Sequence, residues 1–487
     1  MRTKTEMARF RGRTGNFPGC LAHAVKSVVF VLAVCPYGLV TADAGLPDIV
    51  VYLSDDHSQI DSSVYGNENI PTPNMERLAA DGMTFTHAFV ASPSCAPSRA
   101  ALLTGLMPTR NGAETNHSVW DESVPDLVDQ FQRLGYEVAA FGKVAHGRIQ
   151  PPRIKFDHVA FGATIDRLRR DVTRFLKNRD PDVPLCLFVG TSNPHVPWSQ
   201  RATISPDDVE LPPRILDTSA TRRHRSIYYQ EIIDLDAFLG ELREISTEFL
   251  GRDTIFVHSS DHGAQWPFGK WNLYDYGTRV PLIIACPDRI EPGSTSTAMV
   301  SWVDLLPTLI ELAGGAVPTG LDGRSFADVV LGRSLSHRTE VFTTHTADGT
   351  KNAYPMRSVR TPDWKLIENL RPDLAHTNHS DLDRKPLAGA YWHEWAELMK
   401  QDAAAGRIVD QYFRRPRWEL YHVAADPWEL ENLVDDPAHF ERFTALRARL
   451  REWMDSQGDD TLVEVIGRPL IDPDSWHPSR TASEEIR

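Results

Sequence analysis

The chain has 487 residues, 41% of them hydrophobic and 24% charged, the make-up of an ordinary globular protein long enough for one large core and a smaller second one. Its formal charge of −14 argues against gripping nucleic acid or any polyanion with the whole surface, so an anionic ligand has to meet a local cationic pocket. Five cysteines in this length imply no disulfide framework.

Residues 1–44 differ from the rest. Arg2, Lys4, Arg9, Arg11, Arg13 and Lys26 form a basic region, residues 27–40 an apolar run, and Ala42-Asp43-Ala44 offers small side chains for cleavage. This pattern predicts a secretory signal peptide ending near Ala44. The run is short of the ~20 residues needed to span a bilayer, and no later segment is apolar enough, so no membrane span is expected in the mature form. Loss of six basic and two acidic side chains moves the charge to −18 and leaves Cys95, Cys186 and Cys286, of which the last two sit in apolar runs as core thiols. An exported protein, periplasmic or secreted, is expected.

From residue 48 to about 315, short apolar runs alternate with helical patterns, which predicts an α/β unit with a mostly parallel sheet. Strands are expected at 49–53, 136–141, 185–190, 254–259 and 281–286. Helices are expected at 74–80, 97–104, 126–134, 165–177, 228–245 and 303–313. A Gly-, Ser- and Arg-rich stretch at 317–338 reads as a junction. Beyond it, strands at 357–359 with 365–368 and at 418–422, then an amphipathic helix from 437 to about 453, predict a smaller α+β part. The expected divisions are 1–44, 45–340 and 341–487.

Polar groups follow the strand ends. Asp55 and Asp56 come after the first strand, Lys143 and His146 after the second, His195 after the third, and Asp261 and His262 after the fourth. In an open α/β sheet the carboxyl ends of the strands share one edge, where ligands bind. Singly, Asp55 serves equally well as a helix or turn cap, His195 as a turn residue and His262 as a partner of a backbone carbonyl. Asp55, Asp56 and Asp261 are hard oxygen donors suited to Ca2+ or Mg2+. His57 is assigned only to the surroundings of the site. The run Arg222-Arg223-His224-Arg225 reads as a solvated helix start, as do Arg414, Arg415 and Arg417 as solvated cations, with substrate binding the alternative.

Residues 95–99 read Cys-Ala-Pro-Ser-Arg, a pentapeptide signature. On it the chain resembles the type I, formylglycine-dependent sulfatases. The resemblance implies an alkaline-phosphatase-like fold, with a large mixed, mostly parallel sheet flanked by helices and a small C-terminal α+β part. It also implies that a maturation enzyme oxidises Cys95 to formylglycine (3-oxoalanine), whose hydrate attacks the sulfur of a sulfate ester. One divalent ion, Ca2+ by resemblance, is expected on Asp55, Asp56, Asp261, His262 and the oxygen derived from Cys95. Arg99 is expected to pair with the hydrate and the metal ligands, and Lys143 to bind sulfate. His146, one residue beyond the commoner Lys-x-His spacing, is expected to take the second hydroxyl proton. His195 and Lys270 are expected at the sulfate and the leaving atom, with His195 as general acid.

Within that family, residues 353–359 and the Trp418-Glu419-Leu420-Tyr421 segment resemble heparan N-sulfatases, whereas Gly142-Lys143-Val144-Ala145-His146 and Ser260-Asp261-His262-Gly263 resemble iduronate-2-sulfatases. A sulfated saccharide is the expected partner, N-sulfoglucosamine first and an O-sulfated sugar second, and residues 354–359 are expected near the pocket mouth. A phosphate or phosphonate monoester hydrolase and a catalytically dead glycan-binding protein are the other readings.

Overall fold

The computed structural model describes residues 46–146 and 154–459. The segment expected to be a signal, with Cys20 and Cys35, lies outside the described residues. No helix among these residues is long and apolar enough to cross a membrane.

The large sheet has eight strands. Their order across it is His158–Ala160, Glu137–Gly142, Leu185–Gly190, Ile49–Ser54, Ile255–Ser260, Leu282–Ala285, Gly82–Phe85 and Ser294–Ser296. The four central strands from Glu137–Gly142 to Ile255–Ser260 are all parallel. Leu282–Ala285 runs antiparallel to both neighbours, so the sheet is mixed.

Both faces are buried, which explains why strands such as Ile49-Val50-Val51-Tyr52-Leu53 read as continuous apolar runs. Val50 and Tyr52 join one core with the helices Ile165–Asn178 and Ser219–Leu250. Ile49, Val51 and Leu53 join the other with Cys95–Thr104 and Leu305–Leu312. Cys186 and Cys286 are buried free thiols in that second core, as expected.

Two glycines bring the active edge together. Lys143 N–H donates to Gly190 O at 2.8 Å, and a Cβ on Gly142 would lie 2.1 Å from Gly190 O. A Cβ on Gly190 would lie 2.0 Å from Lys143 O. Any side chain at either position would part the strand ends that lead to Lys143 and His195.

The C-terminal sheet is antiparallel, in the order Val341–Asp348, Asn352–Arg360, Lys365–Asn369, Trp418–Tyr421. The expected pairing is present, with Arg357 opposite Glu368 and Val359 opposite Leu366. Helix Phe440–Gln457 covers one face through Leu446, Leu450 and Trp453. Lys365 ties this sheet to the rest of the fold, its ammonium 2.5 Å from Asp275 and 2.7 Å from Glu429, all three buried.

The expectation missed Val341–Asp348 and the helices Trp392–Leu398 and Ala403–Phe413. It also placed the start of Ser219–Leu250 nine residues late. The omitted part, residues 219–227, contains the Arg-rich run, whose charges mask the apolar stripe.

Candidate active site

Helix Cys95–Thr104 is buried at all ten positions. Its small and aliphatic residues permit this: Ala100, Leu102 and Leu103 pack into the core. Pro97 sits in the first turn, where a missing N–H is tolerated, and Gly105 closes the helix at φ 67°, its N–H donating to Ala101 O. The helix starts two residues earlier than the sequence suggested. Cys95 is its first residue, so Sγ stands at the positive end of the helix dipole.

Arg99, one turn on, has no exposed surface and joins three strand ends. Its Nε donates to Asp261 Oδ2 at 2.9 Å, one terminal nitrogen lies 3.7 Å from Asp55 Oδ1, and another donates to Lys143 O. A fully buried cation is tolerable only with such partners.

Around Cys95 Sγ the side chains from separate strands converge. One ligand atom each from Asp55, Cys95, Asp261 and His262 lies within 4.8 Å of the others. Sγ, which marks where an oxygen of the hydrated aldehyde would stand, is 3.2 Å from His262 Nε2, 3.5 Å from Asp55 Oδ1 and 3.4 Å from Lys143 Nζ. His262 Nδ1 is 3.0 Å from Gly263 O, a contact that only a protonated Nδ1 satisfies. The lone pair is thereby left on Nε2, facing the carboxylates, and burial keeps the ring neutral despite Asp261 and Asp56. That donor set fits a divalent cation.

Asp56 sits slightly apart. Its carboxylate is 3.4 Å from His262 Nε2 and accepts Lys270 Nζ at 2.9 and 3.1 Å. Burial raises Asp56, with Asp55 and Asp261 adding to the effect against Lys270 and His262. Asp55 goes the other way: burial alone would raise it, but Lys143, His195, Arg99 and Lys270 hold it well below the usual carboxylate range. Burial also pushes the Cys95 thiol far up, so as a plain thiol it is a poor nucleophile.

Asp56, Phe268 and Trp271 adopt left-handed backbone with φ of 70°, 65° and 64°. Such strain, about 1–3 kcal/mol each, persists where the surroundings fix it. Here they do: Trp198 Nε1 donates to Pro194 O at 2.7 Å in the loop bearing His195, and its ring stacks on Trp266 at 5.2 Å in the loop leading to Lys270.

The site opens on the side of Lys143, His146 and His195, all half-buried. His195 Nε2 lies 4.0 Å from Asp56, and its Nδ1 bonds Val196 O. Burial, then Lys270, lowers His195 to about 3, so with Nδ1–H committed to a carbonyl the neutral ring has no proton on Nε2. His146 Nε2 is 2.7 Å from His117 Nδ1, and burial with Lys143 lowers His146 to about 3.

Several expectations need correction. His57 keeps its place beside the site, its backbone N–H donating to Ser260 Oγ at 3.0 Å, but its ring turns away with Nε2 on Asp61 O at 3.1 Å. Arg222 and Arg223 are surface cations paired with Asp217 and Glu394, but Arg225 is buried, paired to Asp61 and lying over Tyr229, because its stripe of the helix faces the core. Arg415 is likewise buried over Tyr274, whereas Arg414 and Arg417 pair with Asp410 and Glu368. Residues 354–359 lie in a wholly buried strand of the C-terminal sheet and do not line a pocket mouth. Asn116, His117, Asp348 and His379 were not foreseen. They come from a loop and from the C-terminal part, and no local pattern marks them.

A family model described as Sulfatase matches residues 47–316. A second, described as the C-terminal part of N-sulphoglucosamine sulphohydrolase, matches residues 262–391. The chain is 30% identical over 439 residues to an ulvan-active sulfatase of Formosa agariphila, covering 88% of this chain and 84% of that one. It is 27% identical to human N-sulphoglucosamine sulphohydrolase, over 89% of this chain and 93% of the other. Among solved structures, one of a protein bound to its substrate D-glucosamine-2-N,6-O-disulfate superposes with a TM-score of 0.67 at 20% identity, covering 86% of this chain and 99% of that one. A phosphonate monoester hydrolase from Silicibacter pomeroyi gives 0.64 at 18% identity, covering 86% and 97%.

Proposed function

The chain belongs to the sulfatase family, and from that premise we propose that it removes sulfate from the end of a sulfated saccharide through a formylglycine made from Cys95, with N-sulfoglucosamine as its first substrate. As a member of that family it is a sulfuric ester or sulfamate hydrolase. The observation that carries the site assignment is the convergence of Asp55, Cys95, Asp261 and His262 within 4.8 Å, flanked by Lys143 and Lys270. In this reading residues 1–44 are an export signal, 45–340 the catalytic part and 341–487 the C-terminal part.

Formylglycine, when hydrated, supplies a pair of geminal hydroxyls at the position of Sγ. A divalent cation, Ca2+ in this reading, held by Asp55, Asp56, Asp261 and His262, supplies positive charge beside the sulfate oxygens. His262 is the softest of these donors for Ca2+. The chain's own residues do the rest. Lys143 and Lys270 bind the sulfate between them, at the N-terminus of the Cys95 helix. Arg99 holds Asp55 and Asp261 in register and spends its charge on them, so it positions the site from behind.

His146 takes the second hydroxyl proton as sulfate departs. His195 is the acid for the leaving atom. Because burial and Lys270 keep it neutral beforehand, its extra proton has to arrive with the anionic substrate, whose charge offsets that of Lys270.

The substrate follows from two likenesses. The C-terminal match and the human relative support N-sulfoglucosamine, and the 30% identical relative supports a second reading, an O-sulfatase on an algal polysaccharide. Sulfate release by matured protein from N-sulfoglucosamine, 6-O-sulfated glucosamine, 2-O-sulfated uronic acid and ulvan oligosaccharides decides between them. N-sulfoglucosamine is expected to turn over fastest. If it is inert while an O-sulfated sugar reacts, the second reading replaces the first. Faster release from a matched phosphate ester would displace both.

A further inference from the structure

We propose that His117 and Asp348 form, with His146, a relay that carries to solvent the proton released when sulfate leaves. The proposal rests on the reading of His146 as the base.

An ion pair and a hydrogen bond give the chain its direction. Asp348 is buried but accepts Asn116 Nδ2 at 2.9 Å and His379 Nε2 at 3.2 Å, and these partners with Lys270 hold it well below the usual carboxylate range. His117 Nε2 lies 3.4 Å from the other oxygen, Asp348 Oδ1. That approach lacks hydrogen-bond alignment, yet an ionised carboxylate favours the N–H edge of the facing ring, which assigns the hydrogen of His117 to Nε2 and the lone pair to Nδ1. That lone pair is 2.7 Å from His146 Nε2, which in this assignment is the donor. The same assignment makes His146 the Nε2–H tautomer, with its basic lone pair on Nδ1.

His146 is badly placed to keep a proton. Burial, Lys143, His117 and Arg99 all oppose its charge, and Asp55 favours it. His117 stands between it and solvent, with Nδ1 2.7 Å from His146 Nε2 and a side chain that is 66% exposed. Its backbone is left-handed at φ 66°, a conformation the adjoining contacts hold: Asn116 Oδ1 accepts Ala96 N–H at 3.1 Å and Asn116 N–H donates to Ala347 O at 2.9 Å.

The step balances without a co-reactant other than water. The O–H bond of the remaining hydroxyl breaks toward His146 Nδ1, and its electron pair closes the carbonyl as the C–O bond to sulfate breaks. The Nε2 proton of His146 passes to His117 Nδ1, and His117 gives it to bulk water. Nδ1 later yields its proton to water as Nε2 regains one through His117. His117 touches no reacting atom, so it is a positioning residue acting through His146.

His117→Gly suits the left-handed backbone and alters only an exposed side chain. In matured enzyme it is expected to lower kcat about 100-fold with KM unchanged. With an aryl sulfate, a burst of phenol should precede slow sulfate release, and added imidazole should restore the rate. Nitrogen-15 NMR of histidine-labelled protein with unmodified Cys95 should show His146 as the Nε2–H tautomer, shifted in His117→Gly. If His146→Ala abolishes turnover while His117→Gly does not lower it, the relay falls alone. An Nδ1–H tautomer at His146, or a loss that imidazole leaves unrepaired, also overturns it. If His146→Ala leaves turnover intact, the base assignment falls first.

Discussion

Cys95→Ala should bring sulfate release to background, a loss of about 10^4- to 10^6-fold for an enzyme that depends on one nucleophile. The groups within reach of Sγ are donors and ligands: Lys143 at 3.4 Å, His262 at 3.2 Å and Asp55 at 3.5 Å. None can replace a hydroxyl pair that first attacks sulfur and then expels sulfate. The thiol itself is no substitute, since burial pushes it far above neutrality even with Lys143 and Lys270 beside it. Mass spectrometry of the peptide spanning residues 92–99 of active protein should find an aldehyde or its hydrate. Full activity with only unmodified cysteine there would remove the assignment.

Asp261→Asn is expected to have the next largest effect, because one carboxylate serves two purposes. Its Oδ2 accepts Arg99 Nε at 2.9 Å and its Oδ1 accepts Asp56 N–H at 3.2 Å, while it also belongs to the convergent ligand set. Asparagine keeps the volume and removes the charge. Metal content after dialysis and sulfate release should therefore fall together. Stability should drop as well, by about 3–5 kcal/mol, since Arg99 would keep its charge in a fully buried place without its closest counter-ion. A denaturant midpoint reads the second effect independently of the first. Unchanged metal content with full turnover would refute the assignment, whatever the stability.

The parts of the site legible in the sequence are those whose position follows from one rule, that parallel strands share a carboxyl edge. Asp55, Lys143, His195 and Asp261 each follow a central strand of continuous apolar character, so finding the strands placed the residues. Cys95 and Arg99 were legible from their pentapeptide. Asp348 and His379 belong to the C-terminal part and His117 to a loop, and they meet where Asn116 bonds Ala347 O and Asp348, contacts that leave no periodicity. Arg225 misled for a related reason. Four cationic residues in a row imply a wet surface, but on a helix the fourth can point into the core, as it does here against Asp61. The segment at 354–359 resembled a substrate determinant, whereas its burial makes it a central piece of a sheet.

The complete burial of helix Cys95–Thr104 also bears on when the protein can be made active. Cys95 is 1% exposed, its helix is packed on every side, and Arg99 fastens that helix to three strand ends. No second protein can enclose residues 95–99 without dismantling the large core. An enzyme that oxidises Cys95 has to meet the chain before the core closes, during synthesis or export. Folded protein carrying unmodified Cys95 should stay unmodified when offered that enzyme and oxygen, while a peptide of residues 92–104 is converted; conversion of the folded form would show the core to be looser than its packing. If Cys95 is the residue oxidised, activation in this fold is a matter of timing, and a molecule that folds too early is locked out of that chemistry.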